Sequence, residues 1–155
     1  MGNEIERKYL VDVAAWTPRD AGTLYRQGYL SSQRERVVRV RIAGTKGALT
    51  IKGPTAGVTR AEFEYPIPLA DATELLALCE TPLVEKTRHV EMHGGMTWEI
   101  DVFHGANAGL VMAEVELESE TQGVEVPPWA IREVSDDPRY YNSNLIAHPY
   151  STWTT

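Results

Sequence analysis

The sequence alternates apolar with polar or charged side chains along eight separate segments, and this period of two constrains the fold most. Successive side chains of a strand point to opposite faces, so the alternation predicts strands with one apolar and one polar face. The candidate strands are residues 3–11, 24–30, 36–43, 48–53, 59–67, 83–92, 96–104 and 110–118. Glycine-containing gaps at residues 44–47, 53–57, 94–95 and 105–109 predict turns, and short gaps favour antiparallel pairing.

One helix is indicated after the fifth candidate strand. Its apolar residues, spaced by three and four, are Leu69, Ala72, Leu76 and Cys79. The tail, residues 127–150, is predicted to form one or two short helices. Eight antiparallel strands with few helices favour a closed barrel, because closure removes exposed sheet edges. We therefore expect a mainly β (α+β) protein, a closed eight-stranded antiparallel β-barrel with a few flanking helices, forming one domain over residues 1–155.

The net charge of −7 conceals an uneven distribution of charged residues. Residues 1–88 contain 13 bases and 11 acids, whereas residues 89–155 contain 2 bases and 11 acids. The acidic total argues against a nucleic-acid partner, since non-specific binding needs a broad basic face to neutralise phosphates. Arginine outnumbers lysine by 11 to 4, and arginine makes forked contacts with phosphate or carboxylate.

Several other classes of protein are disfavoured by simple absences in the sequence. No apolar run approaches the roughly 18–20 residues of a membrane helix, so we expect no membrane partner. Cys79 is the single cysteine and has no partner for an intramolecular disulfide, which fits a reducing cytoplasm. The four histidines lack metal-ligand spacing, which disfavours zinc.

On the polar faces, the sign of the charge differs from strand to strand. Arginine and lysine dominate this face on the third, fourth and sixth strands, and acids dominate it on the seventh and eighth. An antiparallel sheet commonly has one solvated face, so ordinary surface charge explains any single strand. Opposed basic and acidic walls are also what a trianion with bound divalent cations requires. The alternation alone leaves open whether the charged face is the lumen or the exterior.

The first strand carries a motif that goes beyond alternation. Glu4-Ile5-Glu6-Arg7-Lys8 resembles the ExExK signature of the CYTH superfamily, the triphosphate tunnel metalloenzymes. The matching segments that follow in the family's order are residues 38–41, 50–52, 60–65, 85–88, 99–103 and 114–117. Residues 139–143 also resemble the end of short bacterial members, so the resemblance covers nearly the whole chain.

The resemblance implies a barrel whose lumen is the charged face and whose outer wall is apolar. It implies a divalent cation, Mg²⁺ or Mn²⁺, held by Glu4, Glu6, Glu114 and Glu116. It implies phosphate contacts from Lys8, Arg39, Arg41, Lys52, Lys86 and Arg88. It assigns a second metal, water positioning or charge balance to Glu62, Glu64 and Asp101. Glu4, Glu6 and Lys8 of the signature are the expected catalytic residues, and the choice of general base stays open.

The function implied is metal-dependent hydrolysis of inorganic tripolyphosphate to pyrophosphate and phosphate. The absence of an evident nucleotide-recognition segment favours this bare substrate over the family's other reactions. The alternatives are a class IV adenylyl cyclase and a thiamine or nucleoside triphosphatase. A polyphosphate-binding module without turnover is the non-enzyme alternative. A small-molecule triphosphate is the expected partner, and a homodimer is left open.

Overall fold

The computed structural model describes residues 2–153, which form nine strands, two short α-helices and three single 3₁₀ turns. The strands are β1 (Gly2–Val11), β2 (Thr23–Ser31), β3 (Val37–Ala43), β4 (Lys46–Ala56), β5 (Thr59–Ile67), β6 (Val84–His93), β7 (Met96–Phe103), β8 (Val111–Glu116) and β9 (Ala130–Glu133). The helices are α1 (Leu69–Leu76) and α2 (Asn144–Ala147). None of the described helices is long and apolar enough to span a bilayer.

Eight strands close into the antiparallel barrel that the alternation predicted. Their order around the wall is β5-β4-β3-β2-β6-β7-β8-β1, and β1 then pairs with β5. The closing pairs run from Gly2 opposite Glu62 to Ile5 opposite Thr59. The fourth strand is longer than predicted, with an irregularity between Lys52 and Thr55, so the turn expected at 53–57 lies instead at Gly57 and Val58.

The tail differs from the prediction of one or two short helices. It first adds β9, which pairs with β1 at Tyr9–Val11, beyond the part of β1 that pairs with β5. It then forms a 3₁₀ turn at Pro138–Tyr140 and the one-turn helix α2. A four-residue strand offers too short an alternation to be recognised in sequence, and its partner edge exists only after the barrel forms.

Two of the three apolar clusters lie outside the barrel wall. Tyr9, Trp98 and Trp129 pack in one cluster, with Tyr9 5.4 Å and Trp129 5.8 Å from the Trp98 ring. The helix α1 covers another cluster over β3, where Val40 and Ala72 are 0% exposed. A third cluster lies on the inner face of the strands, where Val37, Phe103 and Met112 pack with tail residues such as Leu145. The wall is therefore stabilised from outside and by this inner cluster, and the rest of the inner face is available to polar side chains.

Candidate functional site

The barrel encloses a cavity of about 340 Å³ lined mainly by charged side chains. Twelve of the thirteen predicted site residues line it, namely Glu4, Glu6, Lys8, Arg39, Arg41, Lys52, Glu62, Glu64, Lys86, Arg88, Glu114 and Glu116. They come from β1, β3, β4, β5, β6 and β8, because alternate residues of each strand point inward. The charged face is thus the lumen.

Lys8 lies between two carboxyl groups of the lumen. Its Nζ is 3.1 Å from Glu6 Oε1 and 3.3 Å from Glu114 Oε1. Burial, together with the nearby Glu114 carboxylate, raises the pKa of Glu6 to about 8. Burial opposes ionisation of Glu114 too, but Lys8 and a hydrogen bond from Glu6 hold its pKa well below the usual range. The surroundings therefore favour a proton on Glu6 and a negative charge on Glu114.

Lys52 binds the first acid of the β1 motif. Its Nζ is 3.0 Å from Glu4 Oε1 and 3.3 Å from Glu62 Oε2, which joins β1, β4 and β5 inside the lumen. Register explains the contact, because Lys52 stands opposite Glu62 across β4 and β5. Glu4, Lys52 and Glu62 therefore hold one another where the barrel closes.

Asp101, the thirteenth predicted residue, faces inward but does not line the cavity, and it is 1% exposed. Both its oxygens are occupied, with Arg88 Nε at 2.8 Å from Oδ1 and Lys86 Nζ at 2.8 Å from Oδ2. Burial alone would raise the pKa of Asp101, but the two cations hold it below the ordinary value. Its contacts are those of charge balance rather than of an exposed ligand.

The pKa values of the two cations beside Asp101 are shifted in opposite directions. Burial, reinforced by Arg88 and Arg41, lowers the pKa of Lys86 to about 7. Burial also opposes the charge on Arg88, but its forked hydrogen bonds to Asp101 raise its pKa above the ordinary value. The lumen therefore holds a permanent guanidinium next to an ammonium group whose pKa is lowered.

Arg41 is a lumen cation with no carboxylate partner among residues 2–153. Its described side-chain hydrogen bond runs from Nε to Gln27 Oε1 at 2.8 Å. Burial, followed by the neighbouring guanidinium groups of Arg39 and Arg88, lowers the pKa of Arg41 to about 10. A desolvated guanidinium surrounded by like charge is a ready site for an anion.

Several lining residues lay outside the predicted set. They are Tyr25, Tyr29, Arg60, Glu99, Ser135, Tyr141, Asn142 and Ser143. Glu99 and Arg60 share faces with predicted residues, and alternation alone could have found them. Asn142 comes from the tail, and its Oδ1 accepts a 2.8 Å hydrogen bond from Lys86. No local pattern in the tail signals that contact.

The acidic residues of the lumen offer carboxylate oxygens, which are the ligands that a hard divalent cation prefers. The surroundings favour a proton on Glu6 beside the Glu114 carboxylate, and a cation bound there would replace that proton. Within residues 2–153 no three acid, histidine or cysteine side chains are already grouped as a metal site. Mg²⁺ at phosphate-transfer sites is commonly bound by one or two carboxylates with phosphate and water oxygens, and Glu6 with Glu114 meets that requirement.

The sequence is similar to two known proteins over nearly its whole length. It is 47% identical to an inorganic triphosphatase of Acetivibrio thermocellus, with 99% of each chain covered. It is 38% identical to an inorganic triphosphatase of Nitrosomonas europaea, with 92% of this chain and 95% of the relative covered.

The fold is similar to solved structures as well. The crystal structure of an inorganic triphosphatase superposes with a TM-score of 0.67 at 34% identity, covering 92% of this chain and 97% of the other. A structure described as a putative adenylate cyclase from Bacillus halodurans shares the fold with a TM-score of 0.55 at 16% identity, covering 77% and 84% of the two chains. The CYTH domain family matches residues 2–144, and the chain belongs to that family.

Proposed function

We propose that this protein hydrolyses inorganic tripolyphosphate to pyrophosphate and phosphate inside the barrel, with a divalent cation bound. The Arg41 guanidinium carries the proposal, because it is desolvated, lies beside Arg39 and Arg88, and has no carboxylate partner among residues 2–153. An anionic ligand relieves that repulsion. The similarity to two inorganic triphosphatases supports a triphosphate as the anion.

The charge of the lining supports the need for a cation. Seven bases and seven carboxyl groups line the cavity, so the lining itself carries little net charge. A tripolyphosphate entering such a site brings several negative charges that the protein does not balance. A divalent cation entering with it supplies the missing charge, and Mg²⁺ and Mn²⁺ are the two we propose.

The lumen residues divide the chemical tasks. The cation, when bound, neutralises phosphate oxygens and lowers the pKa of a bound water. Glu6 and Glu114 would hold it, with Glu4 and Glu116 on the same side of the lumen as further oxygen donors. Lys8, bonded to both Glu6 and Glu114, would contact the phosphate nearest to them. The choice of general base between Glu4 and Glu6 stays open.

The basic wall would hold the rest of the substrate. Arg39, Arg41 and Arg88 carry forked guanidinium groups suited to phosphate oxygens. Charge on the leaving pyrophosphate is stabilised by donors already fixed in place, which is the main contribution a protein makes to phosphoryl transfer. Lys86, with its pKa of about 7, is positioned to change its charge as the phosphates bind.

A product-release assay tests the function directly. Tripolyphosphate, ATP, thiamine triphosphate and pyrophosphate are each supplied with Mg²⁺, with Mn²⁺ or with chelator, and phosphate is resolved from cyclic nucleotide. We expect phosphate from tripolyphosphate only with a cation, in the wild type and in the control Lys46→Ala, an exposed residue that does not line the cavity. Cyclic AMP from ATP would identify a cyclase. Tight binding of tripolyphosphate without turnover would identify a binding module.

Three further proposals concern the location, the partners and the oligomeric state of the protein. We propose a cytoplasmic location on the evidence of the lone, buried Cys79. We propose that nucleic acid is not a partner, because the chain is acidic overall. The homodimer is tested by sedimentation, and each expectation can fail without affecting the proposed reaction.

A further inference from the structure

The inner face of β2 carries no charged side chain. Its inward residues, two apart along the strand, are Tyr25, Gln27 and Tyr29. The strand lies between β3 and β6, each of which sends cations into the lumen. A neutral row therefore separates two basic rows, and its side chains contact the cations on either side.

Gln27 is 0% exposed, and its side-chain amide is bonded at both ends. Its Oε1 accepts the hydrogen bond from Arg41 Nε at 2.8 Å. Its Nε2 donates to the Tyr29 hydroxyl at 3.1 Å and to Asn142 Oδ1 at 3.2 Å. Because a guanidinium can only donate, the carbonyl end of Gln27 must face Arg41 and the NH₂ end must face the other two.

The direction of hydrogen bonding continues through the tail. Asn142 Oδ1 accepts from Lys86 Nζ at 2.8 Å as well as from Gln27 Nε2. The NH₂ group of Gln27 can only donate, so the oxygen of Asn142 must face it, and the same oxygen accepts from Lys86. The bonds therefore fit together in one orientation only. Gln27 is linked to Arg41 directly and to Lys86 through Asn142.

Tyr25 restrains the same guanidinium by a second contact. The Arg41 Cζ lies 4.8 Å from the centre of the Tyr25 ring, and the Arg88 Cζ lies 4.7 Å from it. Both distances are within the range of a cation–π contact. Arg41 is thus held by an aromatic ring and by one hydrogen bond at Nε, and no partner for its two Nη groups is described within residues 2–153.

We propose that Gln27 is a positioning residue for phosphate binding. It holds the Nε edge of Arg41, so that the two Nη groups are directed to the phosphate before the substrate arrives. Its bonds to Tyr29 and Asn142 keep the amide from rotating. Orienting a donor in advance removes an ordering cost from binding and from the transition state. The inference rests on the proposed function, since it assigns the Arg41 contact to a phosphate.

Gln27→Leu tests the role, because leucine is of similar size and cannot accept a hydrogen bond. We expect about a tenfold weaker binding of tripolyphosphate by calorimetry and about a tenfold lower kcat/KM, which is the scale of one hydrogen bond to a charged group. Gln122→Leu, in the exposed loop after β8, is the matched control and keeps wild-type values. Wild-type affinity in Gln27→Leu would overturn the proposal.

A double-mutant cycle separates positioning from packing. In an Arg41→Lys background there is no Nε for Gln27 to hold, so Gln27→Leu should weaken binding less than twofold there. A merely structural role would give the same tenfold loss in both backgrounds, and that result would overturn the proposal.

Asn142→Ala provides a second test of the proposal if the Gln27→Leu protein does not fold. Asn142 is half-buried in the tail, and its loss frees one end of the Gln27 amide. We expect about threefold weaker binding with an unchanged Tm, and unchanged binding would count against the anchored amide.

The wild type also separates this inference from the proposed function. If it binds tripolyphosphate without releasing phosphate, the hydrolase proposal fails while the binding comparisons still decide the role of Gln27. If it neither binds nor hydrolyses tripolyphosphate, both proposals fail.

Discussion

The two faces of β3 differ in chemistry, one apolar and one bearing two arginines, although their residues alternate within a strand of seven residues. Val40 and Ile42 point outward, are buried, and pack beneath α1. Arg39 and Arg41 point inward to the cavity. Burial of the outer side chains stabilises the fold at about 25 cal/mol per Å² of apolar surface. Burial of the inner ones removes charges from water and opposes folding.

The contrast separates the source of stability from the source of function. The outer clusters hold the barrel closed, so the inner face can keep desolvated cations that a core would exclude. Substitutions on the two faces should therefore have opposite consequences. Outer changes should lower stability and affect turnover only through unfolding, whereas inner changes should lower turnover with little loss of stability.

The largest effect is expected from a charge on the outer face. Val40→Asp places a carboxylate in a site that is 0% exposed, and we expect a loss of about 4 kcal/mol or more in the free energy of unfolding. Chemical denaturation measures it. Val38→Asp, on the same face but only partly buried, is the control and should cost far less. A stable, active Val40→Asp protein would contradict the assignment of the two faces.

Removal of an inner guanidinium should lower turnover without lowering stability. Arg41→Ala should lower kcat/KM for tripolyphosphate by about 100-fold or more, the scale of one preorganised donor to a transition-state charge. The Tm should stay the same or rise, because repulsion with Arg39 and Arg88 is relieved. Steady-state kinetics and thermal melting of Arg41→Ala measure the two quantities. A fall in Tm with unchanged kinetics would place Arg41 among the structural residues.

Glu6→Gln should remove most turnover and also change the pH dependence of stability. With its folded pKa raised to about 8 from an ordinary value of 4.5, Glu6 binds more protons in the folded state, and its contribution to stability falls as pH rises through that window. The Tm of Glu6→Gln relative to wild type should therefore increase from pH 5 to pH 8.

Glu118→Gln, in the exposed segment after β8, is the matched control for loss of a carboxyl group. A Tm difference between Glu6→Gln and wild type that does not change with pH would contradict the raised pKa. Full turnover at saturating cation would contradict the role of Glu6 in holding the metal.

The smallest effect is expected at the edge of the lumen. Glu64 pairs with Arg39 at 3.5 Å, but its side chain is 50% exposed, so solvent screens the contact. Glu64→Gln should change kcat/KM less than fivefold and leave the Tm within a degree or two. A loss as large as that of Arg41→Ala would show that the open edge of the cavity matters as much as its interior.

The local sequence pattern was sufficient to predict the strands of the barrel wall and most of the residues that line the cavity. Each of the eight barrel strands was predicted from its alternation, and Arg39 with Arg41 could be assigned to one face without coordinates. The ExExK resemblance placed that face inside the barrel. Alternation could not do so, because a solvated sheet and a charged lumen produce the same sequence pattern.

The missed features depend on contacts between distant segments. The strand β9 exists because the tail meets the free edge of β1 at Tyr9–Val11. Gln27 was overlooked because a neutral residue among charged ones carries no motif. Its importance appears only when Asn142, 115 residues away, accepts its hydrogen bond.

By itself, the sequence determined which residues share a face, where the strands and turns fall, and that basic and acidic strands are separate, because these are properties of neighbours along the chain. Only the tertiary structure decided which cations meet a carboxylate. Asp101 meets both Lys86 and Arg88, whereas Arg41 is left to a neutral amide. The physical reason is that ion pairing depends on strand register and barrel closure, and these are settled by the packing of the whole wall.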